Sequence, residues 1–372
     1  MKRVLPLHCV VLILAFTTLW TGCKKEEEAD VPPNIALEAV QDGLLIDLTI
    51  TSQDPENAVT ELSIDWGDSD IDIIQGISST TIEEEHLYDE PSETTITVTA
   101  WDADGDKTEE TVVLNPDFAA VDLSGIKNTL YKDSEDEFLI LTVNLHTYQE
   151  DRQNEKFHII TELIGQMDVD LIALQECAQH QSAELVSGEI KADNMALILS
   201  ERIQENYGVD YSFVWDWAHY GWNVWEEGLA VMSKHPITDS EGRYISSSQS
   251  TSSIISRKGL HAAVSLPQGD IDIFSVHTHW RTSESDTEQD QQVMELQAMV
   301  EEKELQNSPL GSIVCGDFNS NPTSSPPWDN GYVTMLDNGT YVDTFLEVYP
   351  DANDLPQQHI YNTIGGSFPG GS

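Results

Sequence analysis

The segment "IVCGDFNSNP", residues 313–322, carries an apolar run into a glycine and then presents Asp317 and Asn319 two positions apart. Residues two apart on an extended chain project to one side, so a carboxylate and an amide share the tip of a strand. Other apolar runs stop in the same manner. "LTVN" reaches Asn144, "DLIALQE" reaches Glu176, and "IDIFSV" delivers His277. Asn144 and Glu176 are separated by one helical pattern. A strand–helix–strand crossover makes their strands parallel and brings both residues to one edge of a sheet. A buried carboxylate and amide on an apolar sheet are costly without compensation. Oxygen ligands of this kind suit Mg²⁺, or Mn²⁺, completed by water. With a cation neutralising phosphoryl oxygens, a carboxylate orienting water and an imidazole donating to a developing oxyanion, the set suits phosphoester hydrolysis. Any one of these residues alone is more often a cap or loop contact. Five at strand ends point to a site.

The elements that must position them begin at residue 137. "EFLILTVNL" reads as a strand, followed by "NEKFHIITELIGQM" with Phe157, Ile160, Ile164 and Met167 on one helical face. A second strand ends at Glu176. "DNMALILSERIQENYG" then predicts a helix capped by Asp193 or Asn194 and stopped by Gly208. Later strands are "EGLAVMSKHPI", "KGLHAAVSL", "GDIDIFSVHTHW" and "GSIVCGDFN". Residues 36–115 differ in character: short Thr-, Ile- and Val-rich alternating runs separated by turn clusters predict a β-sandwich. Residues 116–136 read as a linker. "DADGD" reads as an Asp/Gly hairpin, with calcium binding as the alternative. Cys177 and Cys315 are expected to be buried free thiols, because Cys177 faces away from Glu176 while Cys315 shares the face of Asp317.

The N-terminus, residues 1–22, reads as a signal peptide: Lys2 and Arg3 precede "VLPLHCVVLILAFTTLW". Small residues before Cys23 resemble a bacterial lipobox. Lipidation at Cys23 would leave residues 23–35 as a tether, and the charges after it resemble the surface-export signals of Bacteroidetes lipoproteins. The expected location is therefore the bacterial outer membrane or cell surface, with the membrane reached through the lipid. "IDWGDS" and "HLYDEPSETTITVTAWDADGD" resemble a PKD-type immunoglobulin-like module, which implies Trp66 in the core, Asp68 in a turn and Tyr88 at a corner.

The ordered set "TVNLH", "DLIALQE", "EGLAVMSKHPI", "FSVHTHW", "CGDFNSNP" and "YVDTF" resembles the endonuclease/exonuclease/phosphatase superfamily over residues 137–372. That implies an α/β fold of four layers, α-β-β-α, behind the all-β module. It also implies that Glu176 binds the metal, Asn144 serves metal and catalysis, and Asp317 and Asn319 form the catalytic pair. His277 would be the histidine after the apolar strand, with His279 as the alternative. Arg257 would face phosphate. The branch resembled most contains sugar-phosphate phosphatases. "YSFVWDWAHYGWNVW" then offers Trp215 and Trp222 as walls for a sugar ring, or else Phe213, Trp215 and Trp217 are strand packing. The superfamily's closing Arg-Ile-Asp-Tyr and Ser-Asp-His segments are not found after Asn319, so the chain is expected to be truncated at its C-terminus and to have little or no activity.

Composition restricts the partners. With 17 Lys plus Arg against 66 Asp plus Glu, the net charge is −49. Phosphate backbones are repelled by such a surface, since nonspecific nucleic-acid affinity comes from basic residues. The expected partner is a small phosphorylated substrate, with a glycan or protein contacting the PKD-like module. The alternatives are a secreted DNase-like phosphodiesterase and a noncatalytic surface binding lipoprotein.

Overall fold

The computed structural model describes residues 31–348 apart from 56–57, 78, 128–129, 135, 151, 321–330 and 338. The expected signal peptide, Cys23 and the C-terminal tail from residue 349 lie outside the described residues. No helix among the described residues is long and apolar enough to cross a membrane. The chain forms two compact units that divide between Val121 and Asp122.

The first unit is a two-sheet sandwich. Its strands are β1 (Asn34–Asp42), β2 (Leu45–Gln53), β3 (Val59–Asp65), β4 (Ile71–Gln75), β5 (Thr81–Leu87), β6 (Thr94–Asp102) and β7 (Lys107–Leu114). One sheet has the order β1-β2-β5 and the other β4-β3-β6-β7. Alternate residues of each strand face inward: Ile46, Leu48 and Ile50 of β2 meet Leu62 and Ile64 of β3 and Ile96 and Val98 of β6 in one core. Trp66 is fully enclosed there. The Tyr88 hydroxyl donates to the Trp66 carbonyl at 2.6 Å, and the Thr94 hydroxyl reaches the same oxygen at 3.0 Å. In "DADGD" the Asp102 Oδ1 accepts the backbone N–H groups of Asp104, Gly105 and Asp106, which makes it a turn.

The second unit starts inside the expected linker. A short helix α1 (Ser124–Lys127) lies in it, and Lys132 pairs with Asp168 and Asp170. These contacts fix to the second unit a stretch expected to connect the two. The further elements are β8 (Ile140–Asn144), α2 (Gln153–Met167), β9 (Leu171–His180), β10 (Leu185–Ser187), β11 (Ile190–Lys191), α3 (Met195–Tyr207), β12 (Ser212–Gly221) and β13 (Trp225–Ser233). They are followed by β14 (Ile237–Tyr244), β15 (Lys258–Leu266), β16 (Gly269–His277), α4 (Glu288–Asn307), β17 (Ser312–Asp317), α5 (Gly331–Leu336) and α6 (Thr344–Val348). Two four-stranded sheets result, ordered β12-β13-β9-β8 and β14-β15-β16-β17. The pairs β8/β9 and β16/β17 are parallel, each joined through a helix. Leu171, Leu229 and Val231 of one sheet pack on Leu260, Ala262, Val264 and Ile273 of the other. On the outer side of the second sheet, Leu296, Met299 and Val300 of α4 cover Phe274 and Val276. Outside the first sheet α3 lies against β9 and β12, and α2 packs on α3. The four layers are helix, sheet, sheet, helix.

Helix boundaries follow local chemistry. Asn194, rather than Asp193, caps α3: its side chain accepts the N–H groups of Ala196 and Leu197, and Gly208 ends the helix with φ 68°. In α2 the enclosed face is Phe157, Thr161, Ile164 and Met167. Both inner cysteines are free thiols.

Because the sandwich has its own core, residues 31–121 expressed alone are expected to melt in one cooperative transition. Tyr88→Phe should lower the stability of that unit by about 1 kcal/mol, the net worth of one hydrogen bond to an enclosed carbonyl. Calorimetry of the isolated unit measures both.

Candidate active site

Asn144, the last residue of β8, is the meeting point of the two sheets. Its Nδ2 donates to Glu176 Oε1 at 2.8 Å and to Asp317 Oδ2 at 3.1 Å. Its Oδ1 accepts the His146 N–H at 2.8 Å. Asp317 ends β17 directly beside His277, its registered partner at the end of β16. The second oxygen of Asp317 accepts the backbone N–H of Asn319 at 2.9 Å. The Asn319 amide donates to His277 Nε2 at 3.0 Å and to the Thr278 carbonyl at 3.0 Å. His277 Nε2 stands 3.8 Å from Glu176 Oε1. Asn144, Glu176, His277, Asp317 and Asn319 thus come together. His279 does not join them: its ring lies tilted against Trp280, with centroids 4.3 Å apart.

Glu176 does not close its strand as the sequence suggests. β9 runs on to His180, and the carboxylate projects from a β-bulge. Leu174 pairs with Ala230 and Cys177 with Gly228, so Gln175 and Glu176 together oppose Leu229. Glu176 takes φ 47°. The extra residue turns the side chain out of the regular alternation. At the tip of β17, Gly316 has φ 144°, and a Cβ there would lie 2.0 Å from the Val276 carbonyl oxygen, so only glycine lets the two strand ends close up.

Nine described non-glycine residues have positive φ. Asp168 and Ser308 end helices, and Ser69 lies in a turn of the sandwich. The other six are His146, Thr147, Glu176, Trp222, Asn223 and Asn319, all in or beside the site. Each such conformation costs on the order of 1–2 kcal/mol for a side-chain-bearing residue. The strain is concentrated where side chains must be aimed.

Three further residues, Glu227, His219 and Thr147, build the site around Arg257 without having been singled out from the sequence. Glu227, near the start of β13, is 6% exposed. It accepts the Thr147 hydroxyl at 2.9 Å, faces His219 Nε2 at 3.3 Å and lies 3.7 Å from Arg257 Nη1. His219 holds the Ser256 carbonyl through Nδ1 at 3.0 Å. Arg257 is 4% exposed, and its Nη1 sits 3.1 and 3.3 Å from the two ring nitrogens of His219. Its Nε is enclosed with no hydrogen-bond partner. The sequence signal was a carboxylate opening a buried strand in "WEEGLAV", but its partners come from three other segments.

Charges within this cluster are unequal. Burial works against the ionised Glu227, yet the hydrogen bond from His219 and the charges of His219 and Arg257 outweigh it and hold the carboxyl below its ordinary range. Glu176 moves the other way: burial and then the neighbouring Glu227 push its carboxyl well above the carboxylate range. Glu227 has its cationic partners, whereas the charge on Glu176 has too little to balance it. A divalent cation on Glu176, with the Asp317 carboxylate as a neighbouring oxygen donor, fits that imbalance; Asn144, expected to bind the metal too, instead turns its Nδ2 to both carboxylates and its Oδ1 to His146. Burial, then Arg257, keeps the His277 imidazole far below its usual range and therefore neutral. Among the described residues, the set of three His, Cys, Asp or Glu side chains close enough together to hold an ion is Asp68, Asp70 and His86 in the sandwich. There His86 bonds Asp68 at 2.7 Å and stacks on Trp66 at 4.6 Å, contacts that brace the fold.

The two tryptophans separate. Trp215 is not a free wall for ligand, because its indole N–H is tied to the Cys177 carbonyl at 2.9 Å across the sheet. Trp222, in the turn between β12 and β13, is 54% exposed. Its ring meets His146 edge-on at 6.3 Å.

No curated protein matches the chain. An endonuclease/exonuclease/phosphatase family protein from Leptotrichia buccalis is similar at 28% identity over 55% of this chain and 73% of its own, with TM-score 0.49. The human Nocturnin catalytic domain is similar at 16% identity over 56% of this chain and 72% of its own, TM-score 0.41. The N-terminal region is similar to the PKD1 domain of Vibrio anguillarum Epp, at 17% identity over 24% of this chain and 99% of that domain, TM-score 0.22. The profile of the Endonuclease/Exonuclease/phosphatase family matches residues 141–362, more than half of the chain and including every residue of the cluster around Asn144, and the chain belongs to that family.

Proposed function

We propose that the protein is a Mg²⁺-dependent phosphoester hydrolase acting on a small phosphomonoester such as a sugar phosphate, held at the bacterial cell surface by a lipid on Cys23. The observation that carries the reading is Arg257, an enclosed guanidinium with an unpartnered Nε that attracts both Glu176 and Asp317. A buried donor without a partner is costly. A phosphoryl oxygen is the acceptor that suits a guanidinium.

Glu176, fixed by Asn144, would hold a divalent cation, which would neutralise phosphoryl oxygens. Arg257 draws in the anion and holds it. Asp317, fixed by Asn144 and by the Asn319 N–H, orients the attacking water through its carboxylate. His277 is a neutral imidazole whose Nε2 accepts from Asn319, which leaves its ring proton on Nδ1. Asn319 gives both of its amide N–H groups, one to His277 Nε2 and one to the Thr278 carbonyl, and so orients the ring beside Glu176. The acidic surface, net −49, favours small anions over nucleic-acid polyanions. The lipid anchor is supported by the residues around Cys23.

A panel of phosphomonoesters, phosphodiesters and plasmid DNA, assayed with and without Mg²⁺, tests the reading. In any active form of the protein, Mg²⁺-stimulated release of phosphate from monoesters is expected; DNA cleavage in its place would favour the nuclease reading. Glu176→Ala should abolish Mg²⁺-dependent turnover and weaken Mg²⁺ binding by at least about tenfold in calorimetry, since a carboxylate dominates affinity for a hard cation. Asp317→Asn should lower kcat far more than it raises KM, because orientation of water matters in the transition state; equal losses in both would make Asp317 a binding residue.

A further inference from the structure

Trp222 is poorly explained by stability. The turn joining β12 to β13 places Trp222 at φ 50° and Asn223 at φ 59°. Gly221 pairs with Trp225, so the turn has three residues; consecutive left-handed positions in a hairpin turn are favourable for Asn, Asp and Gly and unfavourable for a bulky aromatic. More than half of Trp222 is exposed, so burial returns little for that strain. Facing it is His146, also left-handed at φ 52°. Its backbone N–H holds Asn144, and its ring bonds Glu150 at 2.9 Å. Two strained, solvent-facing rings therefore meet at the rim of the site, one of them joined directly to the central asparagine.

We propose that Trp222 and His146 form a stacking subsite for a ring in the alcohol portion of the phosphoester, a proposal that rests on the phosphoester reading above. The reach is suitable. His180 of β9 pairs with Trp225 at the base of the turn, four residues along from Glu176, or about 13 Å at strand rise. A phosphate held at Glu176, Asp317 and Arg257 thus places a ring one or two ring-widths away against the indole face. Indole faces stack sugar rings and nucleobases alike, so the shared chemistry is a flat-faced ring carrying a single phosphate. The other aromatics nearby are already engaged: Trp225 stacks on Tyr148 at 4.5 Å, and Trp215 is tied to β9.

The test compares the wild-type chain with Trp222→Asn in the presence of Mg²⁺. Both are titrated by calorimetry with inorganic phosphate and with phosphonate analogues of a hexose phosphate, a nucleoside monophosphate and glycerol phosphate, whose C–P bonds resist hydrolysis. The expected result is a loss of about tenfold in affinity for one or both ring-bearing ligands relative to inorganic phosphate, with the glycerol analogue following phosphate. The hexose and nucleoside arms identify which ring is taken. Because Asn suits the turn, the melting temperature should hold or rise while ring affinity falls. An unchanged ring-to-phosphate ratio, an equal loss for the glycerol analogue, or a lowered melting temperature each overturns the subsite. A wild-type chain that binds none of these ligands overturns the phosphoester reading and the subsite together, whereas phosphate binding with no ring dependence overturns the subsite alone.

Discussion

The α/β unit is organised around one amide. Asn144 Nδ2 touches carboxylates from two different sheets, Glu176 and Asp317, which are far apart in sequence. Neither carboxylate can move without breaking that contact, and neither sheet can slide over the other without separating them. A second polar bridge reinforces the arrangement from below: the Gln175 amide donates to the Ser275 hydroxyl, which in turn donates to the Leu174 carbonyl. Hydrophobic packing between the sheets fixes their distance, but it is not directional. The polar bridges set the lateral alignment that brings His277 and Asp317 opposite Glu176.

Charge balance then explains the residues around this centre. Glu176, Asp317 and Glu227 converge in a region where Arg257 is the enclosed guanidinium. Glu227 is satisfied by Arg257, His219 and Thr147, which leaves Glu176 and Asp317 for the ligand side. The guanidinium thereby quiets one carboxylate while its Nε stays enclosed without a hydrogen-bond partner. His219 and Ser256 hold it in place from β12 and from the loop before β15.

Much of this was legible in the sequence, for reasons that can be stated residue by residue. Strand periodicity and the crossover rule placed Asn144 and Glu176 on parallel neighbours, and the two-residue spacing of Asp317 and Asn319 foretold a shared tip. Alternation gave the sandwich its inward face, and Gly208 gave the end of α3. What periodicity could not carry was φ. A bulge is invisible to a pattern of apolar and polar letters, so Glu176 was taken as a strand end, and Trp222 was grouped with Trp215 although one sits in a strained turn and the other is locked to β9. Glu227, His219 and Thr147 escaped because their significance lies in meeting one another across distant segments. The short helix α1 escaped because a four-residue helix leaves no period to detect.

The bulge at Glu176 has an implication for how this scaffold can vary. A regular strand transmits any change of phase along its whole length, so an added or lost residue reverses every side chain beyond it. The two-against-one step at Leu229 absorbs that phase difference locally. The portion of β9 from Cys177 to His180, with the turn it supports through Trp225, is therefore uncoupled from the orientation of the carboxylate. Insertions in the β12–β13 turn can lengthen or reshape the rim while the edge that carries Glu176 keeps its geometry, so one site can accommodate many different mouths.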